Sequence, residues 1–231
     1  MIPLRDDNPS ELRPVVTVSV ILVATFVFLW QLSLGPRGGE AAVYSLGLIP
    51  SVLLGTHPLP PELVIVPPCW TILTSMFMHA SWLHLIGNML YLWIFGDNVE
   101  DAMGHARFVV FYLLCGIAAA LAQVLPDPHS TMPMIGASGA ISGVLGAYLL
   151  LFPRARVLML VPIGFFLTTF RWPAAIVLLL WFGLQFLSSA LTPAGSGGVA
   201  FRAHVGGFIA GMLLVGLFKR PGFRLANPLR I

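Results

Sequence analysis

The chain has 231 residues, of which 58% are hydrophobic and only 9% charged, against about 25% charged in an average soluble domain. That much apolar surface cannot be hidden in a core of its own, so the composition excludes a soluble protein in favour of one embedded in a bilayer. The formal net charge of +3 rests on twelve scattered Lys and Arg, too few and too dispersed to follow a phosphate backbone, which excludes nucleic acid as a partner.

The polar, mixed-charge opening MIPLRDDNPSELRP (1–14) gives way to an apolar run at 15–34, whose 20 residues suffice to cross about 30 Å of hydrocarbon. A cleaved signal peptide has a shorter apolar region and a small-residue cleavage site, so this run reads as a retained first helix. From 35 to about 81 the chain is rich in Pro and Gly yet carries apolar patches such as LVIV and WTILTSMFMH. That stretch is too long for a turn and too hydrophobic for a disordered linker. It reads as a loop in the membrane interface, partly of short helices, with Trp70 and Trp82 as anchors.

A second helix is predicted at 82–96, short and interrupted by Gly87 and Asn88, then a polar turn, DNVEDAMGHAR. The third helix is predicted at 108–125 and the fourth, after PDPHSTMP, at 135–152. The segment VLMLVPIGFFLTTF, broken by Pro162 and Gly164, reads as an interfacial loop. The fifth helix is predicted at 174–191, followed by the loop TPAGSGGVAFR, and the sixth at 203–218. The chain thus divides into a cytoplasmic segment (1–14), a six-helix membrane domain (15–218) and a basic cytoplasmic tail (219–231). Cys69 falls in a loop and Cys115 in an apolar run, and both read as free thiols.

Six spans put both termini on one face. With the termini inside, every Lys and Arg except Arg37 and Arg202 is cytoplasmic, so the positive-inside rule orients the chain that way in a cell membrane. The fold class is all-α, a polytopic six-helix bundle.

Polar side chains in hydrocarbon are costly and mark either helix contacts or function. His84 and Asn88 in HLIGN are four residues apart, on one helix face, as are Ser138 and Ser142 in GASGAIS. His204 opens the sixth helix in AHVGGFIAG. Taken singly, such serines bond back to the carbonyl one turn earlier, and such a His or Asn joins helices. Together they say more. Gly136, Gly139, Gly143 and Gly146 are spaced 3, 4, 3 along one face, and Gly207 and Gly211 follow His204 on one face. Small residues on both helices let the fourth press against the sixth, closer than the usual 8–10 Å or so between axes. That approach would carry the Ser138 hydroxyl to the His204 imidazole. All four polar groups fall near the outer ends of their helices, so nucleophile, base and oxyanion donors share one depth. The arrangement predicts acyl transfer by a Ser–His dyad: Ser138 as nucleophile, His204 as general base, Asn88 and His84 at the oxyanion with a backbone N–H near Ser138. No Asp or Glu falls in the outer half of any span, and Ala140 stands where the GxSxG elbow of soluble hydrolases has its last glycine.

GASG with Ser138, AHVGGFIAG with His204 and HLIGN with His84 and Asn88, in that order on the second, fourth and sixth helices, resemble the rhomboid intramembrane serine proteases. The resemblance spans about 70–211. It implies a rhomboid-like bundle that cleaves other membrane proteins in or near their transmembrane segments, with those proteins and the bilayer as partners and no metal, nucleotide or other cofactor. It also implies that the loop before His204 is a mobile cap, and that Glu100, in FGDNVEDAMG, is structural. Two positions depart from the family pattern: Trp70-Thr71 stands where many members have Trp-Arg, and Ser142 where some have an aromatic ring stacked on the histidine. Two other readings fit parts of the pattern. A rhomboid-like protein that binds without cutting typically lacks the serine or histidine, and both are present. A transporter would need polar groups down to the inner face, where these helices are nearly all apolar.

Overall fold

In the computed structural model, which describes residues 2–164, 166–191 and 199–226, each of the six expected spans contains a helix. The first, α1 (Val15–Ser33), turns at Gly35 (φ +69°) into the loop region, which holds α2 (Gly35–Leu46), α3 (Pro50–Leu53) and α4 (Thr71–Thr74) with short 3-10 turns between them. The remaining long helices are α5 (Trp82–Met103), α6 (His105–Val124), α7 (Ser138–Leu151), α8 (Ala174–Leu191) and α9 (Phe201–Phe218). Among the described residues, α1, α6, α8 and α9 are long and apolar enough to cross a membrane. The chain is a multi-pass integral membrane protein.

At the centre stands α7. Its 14 residues reach only about 21 Å at 1.5 Å per residue, and 12 of them are buried. Glycine lets its neighbours touch its backbone. A Cβ added at Gly207 would strike the Gly139 carbonyl oxygen, one at Gly211 the Gly143 carbonyl, and one at Gly146 the Phe208 carbonyl. On its other side, α7 meets Cys115 and Ala119 of α6 at Gly143 and Gly139.

Three expectations are corrected. First, Gly87 and Asn88 do not interrupt α5, which continues seven residues past 96 to Met103 and stops at Gly104 (φ +79°), absorbing most of the supposed polar turn. Its charged residues stay helical because each finds a partner from far away in the chain. Glu100, fully buried, accepts the N–H groups of Val16 and Thr17, both at 2.8 Å, so its carboxylate caps the N-terminus of α1. His105 Nδ1 lies 2.6 Å from the same carboxylate. Asp101 accepts from Arg220 at 2.9 Å, just beyond α9, and from the Glu11 N–H at 3.0 Å. Asn98 donates to the Asn8 carbonyl at 2.8 Å.

Second, α7 begins at Ser138 rather than 135, because Gly136 adopts φ +128° and redirects the chain before the helix. Gly136 is therefore not part of the glycine face.

Third, the segment read as an interfacial loop is a hairpin, β2 (Arg156–Ile163) and β3 (Phe166–Pro173), with Pro162 paired inside β2 and Gly164 just after it. A strand from the N-terminal segment, β1 (Ile2–Asp6), pairs antiparallel with β2 to make a three-stranded sheet ordered β1-β2-β3. Val157 and Met159 alternate inward onto the bundle and are buried. The Tyr148 hydroxyl donates to Asp6 Oδ2, joining the sheet to α7.

The Asp6 contact carries a pH dependence. Burial pushes this carboxyl up from the ordinary 3.8 to about 7, with smaller contributions from neighbouring Asp97 and Asp7 opposing the Tyr148 bond. The folded state therefore holds its proton more tightly than the unfolded chain does, and this stabilising linkage is complete below about pH 4 and lost as pH rises toward 7. Thermal unfolding of the wild type from pH 4 to pH 7.5 should show a decline that is shallower in Asp6→Asn; parallel profiles for the two proteins would remove Asp6 as a cause.

Candidate active site

Ser138 is the first residue of α7, and its hydroxyl lies 2.7 Å from Nε2 of His204 on α9. The proximity follows from the glycine contacts of Gly207 with Gly139 and Gly211 with Gly143, where the two backbones touch. The bland alternative for intramembrane serines is realised one turn on: Ser142 Oγ donates to the Ser138 carbonyl at 2.6 Å. His204 is 8% exposed. Its Nδ1 lies 2.7 Å from Oε1 of Gln185 on α8. The Trp181 ring, one turn before Gln185, sits 6.0 Å from the imidazole at 33°, and Phe201 approaches it edge-on at 6.4 Å. Rings other than one at position 142 thus flank the histidine.

Ser138, His204, His84 and Asn88 all line one cavity of about 670 Å³, together with Gly136, Gly139 and Ala203. His84 caps its own helix with Ser81, whose Oγ accepts the His84 N–H at 3.2 Å. The ring Nδ1 of His84 accepts the Ala80 N–H at 3.4 Å, which leaves Nε2 to carry the proton and act as a donor. A Cβ added at Gly136 would come within 2.8 Å of this ring, so only glycine admits the imidazole there. The first amides of α7, at Ser138 and Gly139, have no carbonyl partner within the helix and face the same end of it.

Asn88 has a partner the sequence reading did not include. Its Nδ2 lies 3.0 Å from Nε2 of buried His79. The opposite nitrogen of His79, Nδ1, lies 3.2 Å from the Phe77 carbonyl, which can only accept. Nδ1 therefore donates and Nε2 accepts from the Asn88 amide, leaving the second Nδ2 hydrogen free. The backbone of His79 is clamped by Gln31 of α1, which accepts its N–H at 3.1 Å and donates to its carbonyl at 3.3 Å. His79, Gln31, Trp181 and Gln185 thus support the four residues picked from sequence. Of these, only His79 offered a signal, lying on the same short stretch as His84 and Asn88.

Thr71, at the family's arginine position, is buried and donates to the Pro68 carbonyl at 2.6 Å, while Trp70 and Trp82 are exposed. Cys69 is exposed and Cys115 buried, and both are free. The supposed cap before His204 falls largely on 192–198, outside the described residues, as does 227–231 of the basic tail.

The family model described as Rhomboid domain matches residues 67–221. Rhomboid protein 1, mitochondrial, of Saccharomyces cerevisiae is 33% identical over 153 residues, covering 62% of this chain and 40% of that protein. Rhomboid protease GluP of Bacillus subtilis is 32% identical over 152 residues, covering 66% of this chain and 26% of its own. RHOMBOID-like protein 5 of Arabidopsis thaliana is 30% identical over 160 residues, covering 69% of this chain and 47% of its own. The chain spans less than half the length of each of these relatives.

The α7–α9 contact predicts a packing defect. Gly207→Ala places a methyl against the Gly139 backbone, which cannot rotate away, and should cost about 1–3 kcal/mol by overpacking. A lowered thermal midpoint in detergent is the expected result. An unchanged midpoint would show that the helices are not in backbone contact.

Proposed function

The chain belongs to the rhomboid family, and we propose that it is an intramembrane serine endopeptidase, hydrolysing peptide bonds in or near the transmembrane segments of other membrane proteins through a Ser138–His204 dyad. The observation that carries this reading is the 2.7 Å contact between Ser138 Oγ and His204 Nε2 beside a cavity shared with Asn88 and His84.

The hydroxyl proton passes to Nε2 as Oγ attacks the scissile carbonyl carbon, giving a tetrahedral intermediate and an imidazolium. Negative charge gathers on the former carbonyl oxygen. The free Asn88 amide hydrogen and His84 Nε2–H, each oriented by its own partner, and the helix-start amides are the donors that meet it. The intermediate collapses as imidazolium returns its proton to the leaving amine, and Ser138 is left acylated. Water then attacks the ester, giving its proton to His204, and collapse of the second intermediate frees the carboxylic acid and restores the hydroxyl. The proton cycle needs only groups present in this cavity.

The substrates, on this reading, present a segment of the bilayer-embedded chain to the outer end of α7, with both termini of the enzyme in the cytoplasm and the protein in a cell membrane. The distribution of Lys and Arg supports that orientation.

In proteoliposomes with a reporter transmembrane substrate, Ser138→Ala and His204→Ala should each reduce cleavage to background while the protein still inserts and folds. Cleavage retained by either purified variant would refute the dyad. Asn88→Ala should lower kcat by about 10²–10³-fold with KM little changed, the loss typical of one oxyanion donor; an unchanged kcat would remove Asn88 from that role.

A further inference from the structure

We propose that Gln185 of α8 is a positioning residue for the histidine base: its side-chain oxygen accepts the Nδ1–H of His204, fixing the tautomer and the direction in which the ring meets Ser138. The inference rests on the reading of His204 as the general base. It turns a two-residue site into a chain of three side chains, contributed by α7, α9 and α8.

The argument begins with proton counting. A neutral imidazole carries one N–H, and Ser138 can pass its proton only to a bare ring nitrogen. Nε2 is the nitrogen at 2.7 Å from the hydroxyl, so the reactive form carries its hydrogen on Nδ1. That N–H is buried and must find an acceptor. It faces Gln185 Oε1 at 2.7 Å. Among the described residues, the rings flanking the imidazole are Trp181 and Phe201, and neither offers an acceptor. Without Gln185, the competing tautomer, with Nε2 protonated and pointing at Ser138, loses nothing at Nδ1 and cannot accept the serine proton.

The sequence of α8 supports the assignment independently. Gln185 is a primary amide in LLLWFGLQFLSSAL, between Leu184 and Phe186, on a helix where only Ala174, Val177 and Leu178 are buried. An amide in such a helix is costly unless bonded. Gln185 and Trp181 are one turn apart, so a single face of α8 offers both a ring beside the imidazole and an acceptor for its N–H. Ser142, which occupies the position of an aromatic in some relatives, spends its hydroxyl on the Ser138 carbonyl and does not reach the histidine's second nitrogen. The restraint that α7 does not supply comes from α8.

A neutral amide also sets the basicity of the site. It orients the ring without placing an anion beside the imidazolium, whereas a carboxylate there would stabilise the protonated base. This gives the proposal a signature that a packing role lacks.

The test uses the full-length protein in proteoliposomes with Gln185→Met, which keeps the volume and removes the acceptor, and Gln185→Glu, which keeps an acceptor and adds charge. Gln185→Met should lower kcat about 10²-fold, the scale of a misplaced catalytic group, with KM and the thermal midpoint nearly unchanged. Gln185→Glu should restore most of that loss and move the acid limb of kcat/KM to higher pH. Independently of turnover, ¹⁵N-histidine NMR should show His204 as the Nδ1–H tautomer in the wild type and a tautomer mixture in Gln185→Met. A wild-type kcat together with an unchanged tautomer in Gln185→Met overturns the proposal. So does equal loss in both variants with no change of tautomer, which would make Gln185 a packing residue only. Because the tautomer is read without substrate, failure of the peptidase reading, seen as cleavage by Ser138→Ala, is distinguished from failure of this one.

Discussion

The site depends on one close approach: the backbones of α7 and α9 touching at Gly139, Gly143, Gly207 and Gly211. Serine and histidine side chains are short. Helices packed at an ordinary interaxial distance would leave the hydroxyl and the imidazole too far apart for proton transfer. Removing Cβ atoms on both sides closes the gap, and Ser138, next to Gly139, and His204, one turn before Gly207, then meet at 2.7 Å. Lipid supplies no hydrophobic drive to press helices together, so close packing of small residues has to do it.

A second feature is the separation of polar groups between the two ends of the bundle. At one end they face a cavity and are arranged as donors and acceptors around Ser138. At the opposite end Glu100, Asp101, Asn98 and Arg220 bond to backbone and to one another, holding the start of α1, the end of α5 and the chain beyond α9 together. The C-terminal end of α7 meets the chain beyond α9, where the Leu150 carbonyl accepts the Ala226 N–H at 2.7 Å, and the sheet packs at the same end, joined through Asp6 and Tyr148. The same residue types thus hold segments together at one end and line the cavity at the other.

Much of this was legible in sequence where the signal was local. Apolar runs of the right length marked the spans, and glycines at helical spacing marked the α7–α9 contact because no other residue permits it. His84, Asn88, Ser138 and His204 stood out because polar groups in hydrocarbon are costly. What was missed depended on distant partners. DNVEDAM resembles a turn until Glu100 is seen to bond Val16 and Thr17, more than 80 residues away. VLMLVPIGFFLTTF is apolar throughout, so its strand alternation is masked, and its partner β1 lies in a polar segment at the other end of the chain. Gln185 is a lone amide whose meaning appears only with His204 beside it.

The central claim is that Ser138 is a nucleophile activated by His204. Treating the membrane-reconstituted protein with a fluorophosphonate and mapping the adduct by mass spectrometry tests it most directly. The account predicts one modified residue, Ser138, with labelling lost in His204→Ala. An adduct on another residue, or labelling of Ser138 at the same rate without His204, would contradict it.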